Sequence, residues 1–410
     1  MIYKIENIPR LKNLQVEVEP KGTGLKTRVS GAGSPWLHLL IKRYFGSHNS
    51  LGLIGTKAGG NVYTLYFPPV PSRAHARLFE SFISTRVFKR PRPMAATIGI
   101  TGLCQYCCEH CSAAGRSTDQ PVMTFQEIKR VVDQCIELGV SNITFTGGEP
   151  LLRDDLADLV AYVPQELCVT QVFTNAAELN SKKIDELKKA GLFGLQVSLD
   201  SPDPFEHDLL RGATGAFTAV EQGVMEASRA GLFVGISTYA TRDRMNDHFV
   251  PRMADLATEW GAHELTILDA IETGNLKGKN YLCLDRTSRR RLISDMTRIN
   301  RQHNKAKVVT QSWTNSGRGF SRLIGCLAAG FQLHITARGE FTPCDFTPLS
   351  FGNIRESTVG ELWQKLTSHP EYNKQKLRCR MQDKTFRQKY IDTIPEGAKL
   401  PYRITNDKEG

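Results

Sequence analysis

Two features that many chains have are missing from this sequence. It contains no run of about 18 or more apolar residues, which excludes a helix long enough to span a membrane. Its N-terminus also lacks the basic patch and the apolar stretch of a secretory signal. With 410 residues, 40% of them hydrophobic and 23% charged, the chain can nevertheless bury a large core. We therefore expect a soluble, folded, cytoplasmic protein.

Acidic residues are scarce in the first part of the chain. Residues 1–94 hold 15 Lys and Arg but only 4 Asp and Glu, whereas residues 95–410 hold 38 of each kind. The net charge of +11 therefore belongs to this basic N-terminal extension. No recognisable nucleic-acid-binding motif accompanies the charge, so nucleic acid is not a favoured partner.

The sequence of the extension predicts an α+β arrangement. Ser34 and Pro35 are typical of a helix start and precede a helix predicted over Trp36–Phe45. Asn61–Phe67 predicts a strand. Ala76–Arg90 predicts an amphipathic helix with Arg and Lys around its apolar face. Such a helix packs on the body of the protein or lies on a membrane surface, so peripheral membrane contact is an open alternative.

From about residue 95 the pattern changes to strands that alternate with amphipathic helices. Six apolar runs predict strands, at Ala95–Thr101, Asn142–Thr146, Val169–Thr174, Leu195–Asp200, Phe233–Ala240 and Glu264–Ala270. Alternation of this kind produces a parallel sheet, which buries both of its faces. Six units are too few for a closed eight-stranded barrel, so residues 95–304 predict an α/β fold that is either an open partial barrel or a doubly wound sheet.

Four of the ten cysteines fall within eight residues after the first predicted strand. Cys104, Cys107, Cys108 and Cys111 are too close together for a disulfide framework. Cys104, Cys108 and Cys111 can each bind a different iron of a cubane cluster and leave the fourth iron open. Cys107 can replace Cys108 in a second register, and a zinc site is the competing interpretation.

A glycine-rich turn ends the second predicted strand, with the sequence Thr146-Gly147-Gly148-Glu149-Pro150. Glycine lets the backbone approach a ligand closely, and a glutamate offers a carboxylate to an ammonium group. This turn, taken together with the three cysteines, resembles the motifs of the radical SAM enzymes. The resemblance implies a (β/α)6 partial TIM barrel.

The resemblance to this family covers about residues 95–275. It implies that Cys104, Cys108 and Cys111 bind a [4Fe–4S] cluster and that Cys107 is a bystander. It further implies that this cluster binds S-adenosylmethionine (SAM) and, once reduced, cleaves it to methionine and a 5′-deoxyadenosyl radical.

Polar groups at the strand ends are similar to those that surround SAM in this family. The resemblance implies SAM contacts from Gly147, Gly148, Glu149, Asn175, Ser198, Asp200, Ser237, Thr238 and Arg242. Two positions depart from the family pattern, because His110 stands where many members have an aromatic residue and Ala176 stands where relatives have glycine. The sequence His207-x3-Arg211-Gly212 resembles the SPASM branch, in which a helix packs on the barrel.

The C-terminal region contains a second group of cysteines. Phe331–Ile335 and Glu340–Thr342 predict a hairpin that brings Cys344 back towards Cys326. With Gly339 between them, these cysteines resemble the opening of a SPASM or twitch module, which holds an auxiliary Fe–S cluster in this family.

We place this auxiliary module at residues 305–380 and a C-terminal tail at residues 381–410. Only Cys379 follows the first two cysteines, so the resemblance implies one auxiliary [4Fe–4S] cluster on Cys326, Cys344 and Cys379. Asp345, another cysteine, water or the substrate would then supply the fourth ligand, and a fold with three buried thiols and no cluster is the alternative.

The leading functional prediction is a radical SAM enzyme that abstracts hydrogen from an unreactive substrate C–H bond. Peptide or protein modification ranks first, and a lipid, a polyprenyl group or a small metabolite is the alternative substrate. Such an enzyme needs a low-potential electron donor of the flavodoxin or ferredoxin type. A non-catalytic Fe–S or zinc protein is the alternative from another class, although such a protein needs neither the Gly-Gly-Glu turn nor six strand–helix units.

Overall fold

The computed structural model describes residues 1–4, 11, 13–31, 33–245, 248–314, 316 and 319–404. Residues 405–410 of the predicted tail lie outside this described part. At its centre is a nine-stranded sheet in which eight neighbouring strands are parallel and one edge strand is antiparallel. Within the described part, every helix is too short or too polar to cross a membrane.

The N-terminal extension contains two small antiparallel sheets and two helices. Its elements are β1 Ile2–Lys4, β2 Gln15–Lys21, β3 Gly24–Ser30, α1 Pro35–Leu51, β4 Gly55–Lys57, β5 Gly60–Val62 and α2 Arg73–Arg86. The predicted cap of α1 is confirmed, since Ser34 Oγ accepts from the Leu37 N–H at 3.3 Å. The helix runs past the predicted end at Phe45 because Phe45 and His48 are both buried in the core of the extension.

The apolar face of α2 is buried inside the extension. Leu78, Phe79, Phe82 and Ile83 are at most 2% exposed, and the ring of Tyr44 on α1 lies 4.8 Å from that of Phe82. The amphipathic pattern therefore marks a helix that packs on its own domain. The apolar face that suggested a membrane surface is covered by protein.

The central sheet is an open partial barrel whose six predicted strands are all present. Its strands are β6 Ala95–Thr101, β7 Asn142–Gly147, β8 Val169–Thr174, β9 Gly194–Ser198, β10 Phe233–Ala240, β11 Glu264–Asp269 and β12 Lys307–Thr310. The helices that follow them are α3 Phe125–Leu138, α4 Leu156–Tyr162, α5 Ser181–Lys189, α6 Pro204–Arg211, α7 Ala216–Arg229, α8 Phe249–Glu259 and α9 Arg286–Ile299. The added strand β12 pairs with β11 and so extends the sheet beyond residue 304.

The C-terminal region is continuous with the barrel sheet. It contains α10 Gln311–Thr314, β13 Gln332–Ile335, β14 Phe341–Thr342, β15 Leu349–Ser350, α11 Val359–Ser368, α12 Lys384–Phe386 and β16 Tyr402–Arg403. The predicted hairpin is confirmed as β13 and β14, and β13 also pairs in parallel with β6 at the barrel edge. The barrel and the hairpin thus share one sheet, and the boundaries near residues 304 and 380 stay predictions.

The extension covers the amino ends of the barrel strands. The predicted strand over Asn61–Phe67 is wrong after Val62, because the following residues turn into the base of the barrel. There the Leu65 N–H donates to Glu264 Oε2 at 3.3 Å, and the Tyr66 carbonyl accepts from Asn142 Nδ2 at 2.9 Å. The extension therefore forms a floor beneath the barrel.

The buried carboxyl of Glu264 in this floor predicts a pH-dependent stability. Burial raises its pKa from 4.5 to about 7. Because the folded state then binds more protons than the unfolded state, stability from this group is present below pH 4.5 and is lost as the pH rises through 7. We expect the unfolding free energy of the Glu264→Gln variant, minus that of wild type, to grow by about 3 kcal/mol over this window. Chemical denaturation at several pH values measures this difference, and a constant difference would contradict the assignment.

Candidate active site

One large cavity connects the floor of the barrel with the carboxyl ends of its strands. Its volume is about 1750 Å³. Both predicted groups of cysteines line it, namely Cys104, Cys108, Cys111, Cys326, Cys344 and Cys379. Most of the strand-end positions predicted to contact SAM line it as well, namely Gly147, Gly148, Glu149, Asn175, Ser198, Asp200, Ser237 and Thr238. The fold thus brings together residues that are up to 275 positions apart in the sequence.

The first cysteine group lies on the loop that follows β6. Cys104 is exposed, whereas Cys108 and Cys111 are half-buried and face the cavity. Cys107 is exposed outside the cavity and packs against Gly212, where an added Cβ would lie 3.4 Å from the Cys107 Cβ. The geometry therefore favours the register with Cys104, Cys108 and Cys111.

The two glycines after β7 hold the cysteine loop against the sheet. A Cβ on Gly147 would lie 2.3 Å from the Thr101 carbonyl oxygen, and one on Gly148 would lie 1.9 Å from that of Leu103. The Gly148 N–H donates to the same Thr101 oxygen at 2.8 Å. Both glycines also line the cavity, so their expected close approach to a ligand stays a prediction. Any side chain here would displace the loop that carries the cysteines.

Glu149 is buried beneath the cavity with three hydrogen-bond donors. Its Oε1 accepts from the Leu151 N–H at 3.0 Å and from Thr174 Oγ1 at 2.7 Å, and its Oε2 accepts from the Asn175 N–H at 2.7 Å. Burial raises the pKa of Glu149, while these donors favour the carboxylate. A carboxylate has about four acceptor sites, so one remains for a donor in the cavity.

Asn175 connects this carboxylate to the cysteine loop. Its side-chain amide donates to Cys104 Sγ at 3.8 Å and to Gln105 Oε1 at 3.4 Å. Ala176 follows in the left-handed region, with φ of 67°, a conformation that suits the glycine expected from the family pattern. The third strand end therefore positions the first cysteine as well as lining the cavity.

Asp200 sits in a charged cluster beside the same loop. Its Oδ2 lies 2.5 Å from Arg211 Nε and 3.7 Å from His110 Nε2. Burial is the largest single effect and acts to raise the pKa of Asp200, but Arg211 and the other cationic groups nearby together outweigh it and hold the pKa below its ordinary value. The His110 ring stacks on Tyr239 with centroids 3.9 Å apart, and burial lowers the pKa of His110 to about 4. His110 is therefore a neutral, stacked ring.

The remaining predicted SAM contacts separate into two sets. Ser198, Ser237 and Thr238 face the cavity, and Thr238 Oγ1 is buried with no hydrogen-bond partner in the described part of the chain. Arg242 instead points away, because its Nε donates to the Cys283 carbonyl at 3.2 Å and 46% of its side chain is exposed. The structure does not bring Arg242 to the site.

The second cysteine group lies where the hairpin meets the cavity. Burial raises the pKa of Cys344 to about 11, and its Sγ lies 3.1 Å from Thr347 Oγ1. Cys379 is buried, and its neighbours Cys326 and Cys344 add to the effect of burial in raising the pKa of its thiol. Cys326 adds to the rise in pKa of both Cys344 and Cys379, so the three thiols are near one another, as a shared cluster requires.

Asp345, a predicted candidate for the fourth ligand, already has partners. Its carboxylate lies 3.1 Å from His334 Nδ1 and accepts from Gln332 Nε2 at 3.0 Å. Arg116 donates to the Asp345 carbonyl at 2.7 Å and lies 3.2 Å from His334 Nε2. This network joins the loop after Cys111 to the hairpin, so Asp345 acts as a structural link between the two cysteine groups.

Among the cavity residues that were not predicted as site residues, Arg211, Tyr66 and Arg116 stand out by their contacts or their origin. Arg211 was recognised only as part of a helix motif, although its side chain reaches Cys108. Tyr66 and Arg116 line the cavity but belong to no motif that we recognised in the sequence. Tyr66 comes from the extension, and only the tertiary contact with the barrel floor reveals it.

The fold and the site together define a class, that of Fe–S enzymes built on a partial (β/α) barrel. The family model described as "Radical SAM superfamily" matches residues 98–257. The SPASM model, described as "Iron-sulfur cluster-binding domain", matches residues 326–390. The chain is therefore a radical SAM enzyme with a SPASM domain. It binds a [4Fe–4S] cluster, SAM and auxiliary Fe–S, and the cysteine thiols that line the cavity are of the kind that ligates Fe–S clusters.

Related proteins of known name share most of this length. The chain is 26% identical over 285 residues to an AdoMet-dependent heme synthase of Nitratidesulfovibrio vulgaris, which covers 65% of this chain and 77% of that protein. It is 24% identical over 289 residues to a PqqA peptide cyclase of Granulibacter bethesdensis, covering 68% and 76%. Streptococcus suis SuiB bound to its precursor peptide SuiA has a similar fold, with a TM-score of 0.57, 17% identity and coverage of 73% and 70%.

Proposed function

We propose that this enzyme abstracts a hydrogen atom from a C–H bond of a peptide or protein substrate inside the central cavity. The observation that carries the proposal is that both cysteine groups line one cavity of about 1750 Å³. This volume exceeds the roughly 300–1,000 Å³ of ordinary small-molecule pockets, which leaves space for a substrate beside SAM and the clusters. Room for a peptide segment between the two cofactor sites agrees with the names of the PqqA cyclase relative and the SuiA-bound neighbour.

The residues of the chain have separate tasks in this proposal. Cys104, Cys108 and Cys111 would hold the cluster, which together with SAM and one electron from the donor would supply the 5′-deoxyadenosyl radical. The last acceptor site of Glu149 takes the SAM ammonium, and Asn175 holds the loop through Cys104. The floor contributed by the extension closes the amino end of the barrel and excludes water from the cavity.

The second cysteine group completes the reaction. Cys326, Cys344 and Cys379 would hold an auxiliary cluster that accepts the electron left on a substrate radical when the substrate also loses a proton. The network of Arg116 and His334 joins the two cysteine groups and fixes their separation. An oxidised, dehydrogenated or cross-linked product is therefore expected.

A small substrate with carboxylate groups is the second candidate. The heme synthase relative favours it, and so do basic side chains that line the cavity, among them Arg116, Arg301 and Arg338. Chain segments close around this cavity as well, since the Ser117 N–H donates to the Leu400 carbonyl at 2.6 Å. A lipid substrate loses its main argument, because the apolar face of α2 is buried.

The proposal also includes a partner and a compartment. A low-potential flavodoxin or ferredoxin would deliver the electron, because the cysteine loop reaches the surface at Cys104. The ten free thiols suit the reducing cytoplasm. Peripheral membrane contact would need a surface other than the apolar face of α2.

Anaerobic reconstitution with iron and sulfide tests the two cluster sites. Wild type should bind about eight irons per chain, as two [4Fe–4S] clusters require, and should form 5′-deoxyadenosine from SAM with dithionite. Changing Cys326, Cys344 and Cys379 to Ala should leave about four irons and retain this cleavage. A matched change of Cys135, which is buried and does not line the cavity, to Ala should leave the iron content unchanged.

Each outcome of this experiment is decisive. If the triple variant still binds about eight irons per chain, these three cysteines do not bind the auxiliary cluster. Zinc in place of iron, with SAM intact, would overturn the proposed function. To identify the substrate, small peptides and carboxylated tetrapyrroles are then compared for how far each stimulates 5′-deoxyadenosine formation.

A further inference from the structure

A buried arginine contacts the cysteine loop from the neighbouring helix. Arg211 is the last residue of α6, and only 8% of its side chain is exposed. Its Nη1 donates to Cys108 Sγ at 3.7 Å, and its Nε forms the ion pair with Asp200 at 2.5 Å. The guanidinium therefore lies between a predicted cluster ligand and a buried carboxylate.

Two further contacts fix this arginine relative to the loop. The Glu109 N–H on the loop donates to the Leu210 carbonyl at 2.9 Å, so the end of α6 is joined directly to the cysteine segment. Gly212 ends the helix with φ of 62° and approaches the loop so closely that a Cβ would lie 3.0 Å from the Cys107 carbonyl oxygen. The position of Arg211 is thus set by backbone contacts as well as by its ion pair.

The negative charge of Asp200 does not cancel the positive charge of Arg211 at the Cys108 sulfur. Asp200 is the nearest anion, but its carboxylate is on the Nε side, whereas Nη1 faces Cys108. A second cation, Arg244, donates to the Asp200 carbonyl oxygen at 2.6 Å. His110 Nε2 lies 3.7 Å from the same carboxylate, and His207 Nδ1 accepts from the Asp200 N–H at 3.1 Å.

A hydrogen bond and a positive charge at a cluster sulfur stabilise the reduced cluster. Reduction adds one negative charge, which a nearby guanidinium offsets, and hydrogen bonds to sulfur are among the factors that set the potentials of Fe–S clusters. The effect is large when the cation is shielded from water, as this one is.

We propose that Arg211 is a positioning residue that raises the reduction potential of the SAM-binding cluster through its contact with Cys108. The inference rests on the proposed function, because it requires the cluster at Cys104, Cys108 and Cys111. Arg211 itself is neither oxidised nor reduced, and the single electron still comes from the external donor.

Potentiometric titration of the reconstituted enzyme, followed by electron paramagnetic resonance, tests this role. The SAM-binding cluster is the one whose signal changes when SAM is added. In the Arg211→Gln variant we expect about a tenfold smaller ratio of reduced to oxidised cluster at a fixed potential, which corresponds to a midpoint about 59 mV lower. Arg211→Lys keeps the positive charge but has no planar guanidinium. Its ratio of reduced to oxidised cluster at a fixed potential should be only about threefold smaller than that of wild type.

Arg244→Gln is the matched control, because Arg244 also contacts Asp200 but has no contact with a cysteine of the loop among the described residues. Its ratio of reduced to oxidised cluster at a fixed potential should differ from that of wild type by less than about twofold. Unchanged potentials in both Arg211 variants would overturn the inference, and so would an equal shift in Arg244→Gln. If Arg211→Gln fails to bind iron, the Arg211→Lys shift decides alone. If the wild-type enzyme binds no cluster after reconstitution, the proposed function itself is overturned.

Discussion

Changing Cys108 to Ala will abolish the formation of 5′-deoxyadenosine from SAM, whereas changing Cys107 to Ala will leave it nearly unchanged. The two cysteines are adjacent in sequence, but only Cys108 lines the cavity and receives the hydrogen bond from Arg211. Changing a residue that only hydrogen-bonds to a ligand typically lowers activity by about 10- to 100-fold. Loss of a ligand itself should therefore lower the rate of SAM cleavage by more than about 100-fold. Cys107 is exposed, so its change to Ala should alter the rate of 5′-deoxyadenosine formation by less than about twofold.

Iron content and cleavage are measured together for these variants. Cys104→Ala and Cys111→Ala should behave as Cys108→Ala does and should lose about four irons per chain. Equal losses in Cys107→Ala and Cys108→Ala would mean that the loop rearranges when iron binds. Loss in Cys107→Ala alone would establish the other register.

Changing Glu149 to Gln will weaken SAM binding by about 10- to 150-fold, the range expected when a hydrogen bond to a charged group is lost. The carboxylate keeps one acceptor site after its bonds to Leu151, Thr174 and Asn175. An amide in its place has no negative charge and one oxygen fewer to accept these donors. The SAM ammonium should therefore lose its anionic partner.

Equilibrium binding of SAM to the reconstituted enzyme measures this effect, with the cluster content determined in parallel. Glu264→Gln is the matched control, because Glu264 is also a buried glutamate at a strand end but lies in the floor, at the opposite end of the barrel. Its SAM affinity should equal that of wild type. Unchanged affinity in Glu149→Gln would assign the SAM ammonium to another group.

The sequence by itself determined the parallel sheet and the residues at its strand ends, whereas the choice of a barrel over a doubly wound sheet came from the family resemblance. Runs of apolar residues followed by amphipathic helices have one stable arrangement, a parallel sheet covered by helices, and all six predicted strands are present. Since parallel strands end at the same edge, the Cys104 loop and Glu149 had to meet. The hairpin of β13 and β14 was also predictable, because its turn residues are local in sequence.

Only the tertiary structure decided what depends on contacts between distant segments. The extension sends Tyr66 into the cavity because residues after Val62 bind Glu264 and Asn142, which no local pattern encodes. Helix α1 continues past its predicted end at Phe45 because burial in the core of the extension favours a longer helix. Arg242 matched a strand-end position yet binds the Cys283 carbonyl, while Arg211 reaches Cys108. Sequence sets which groups are near a strand end, but packing sets where long, flexible side chains point.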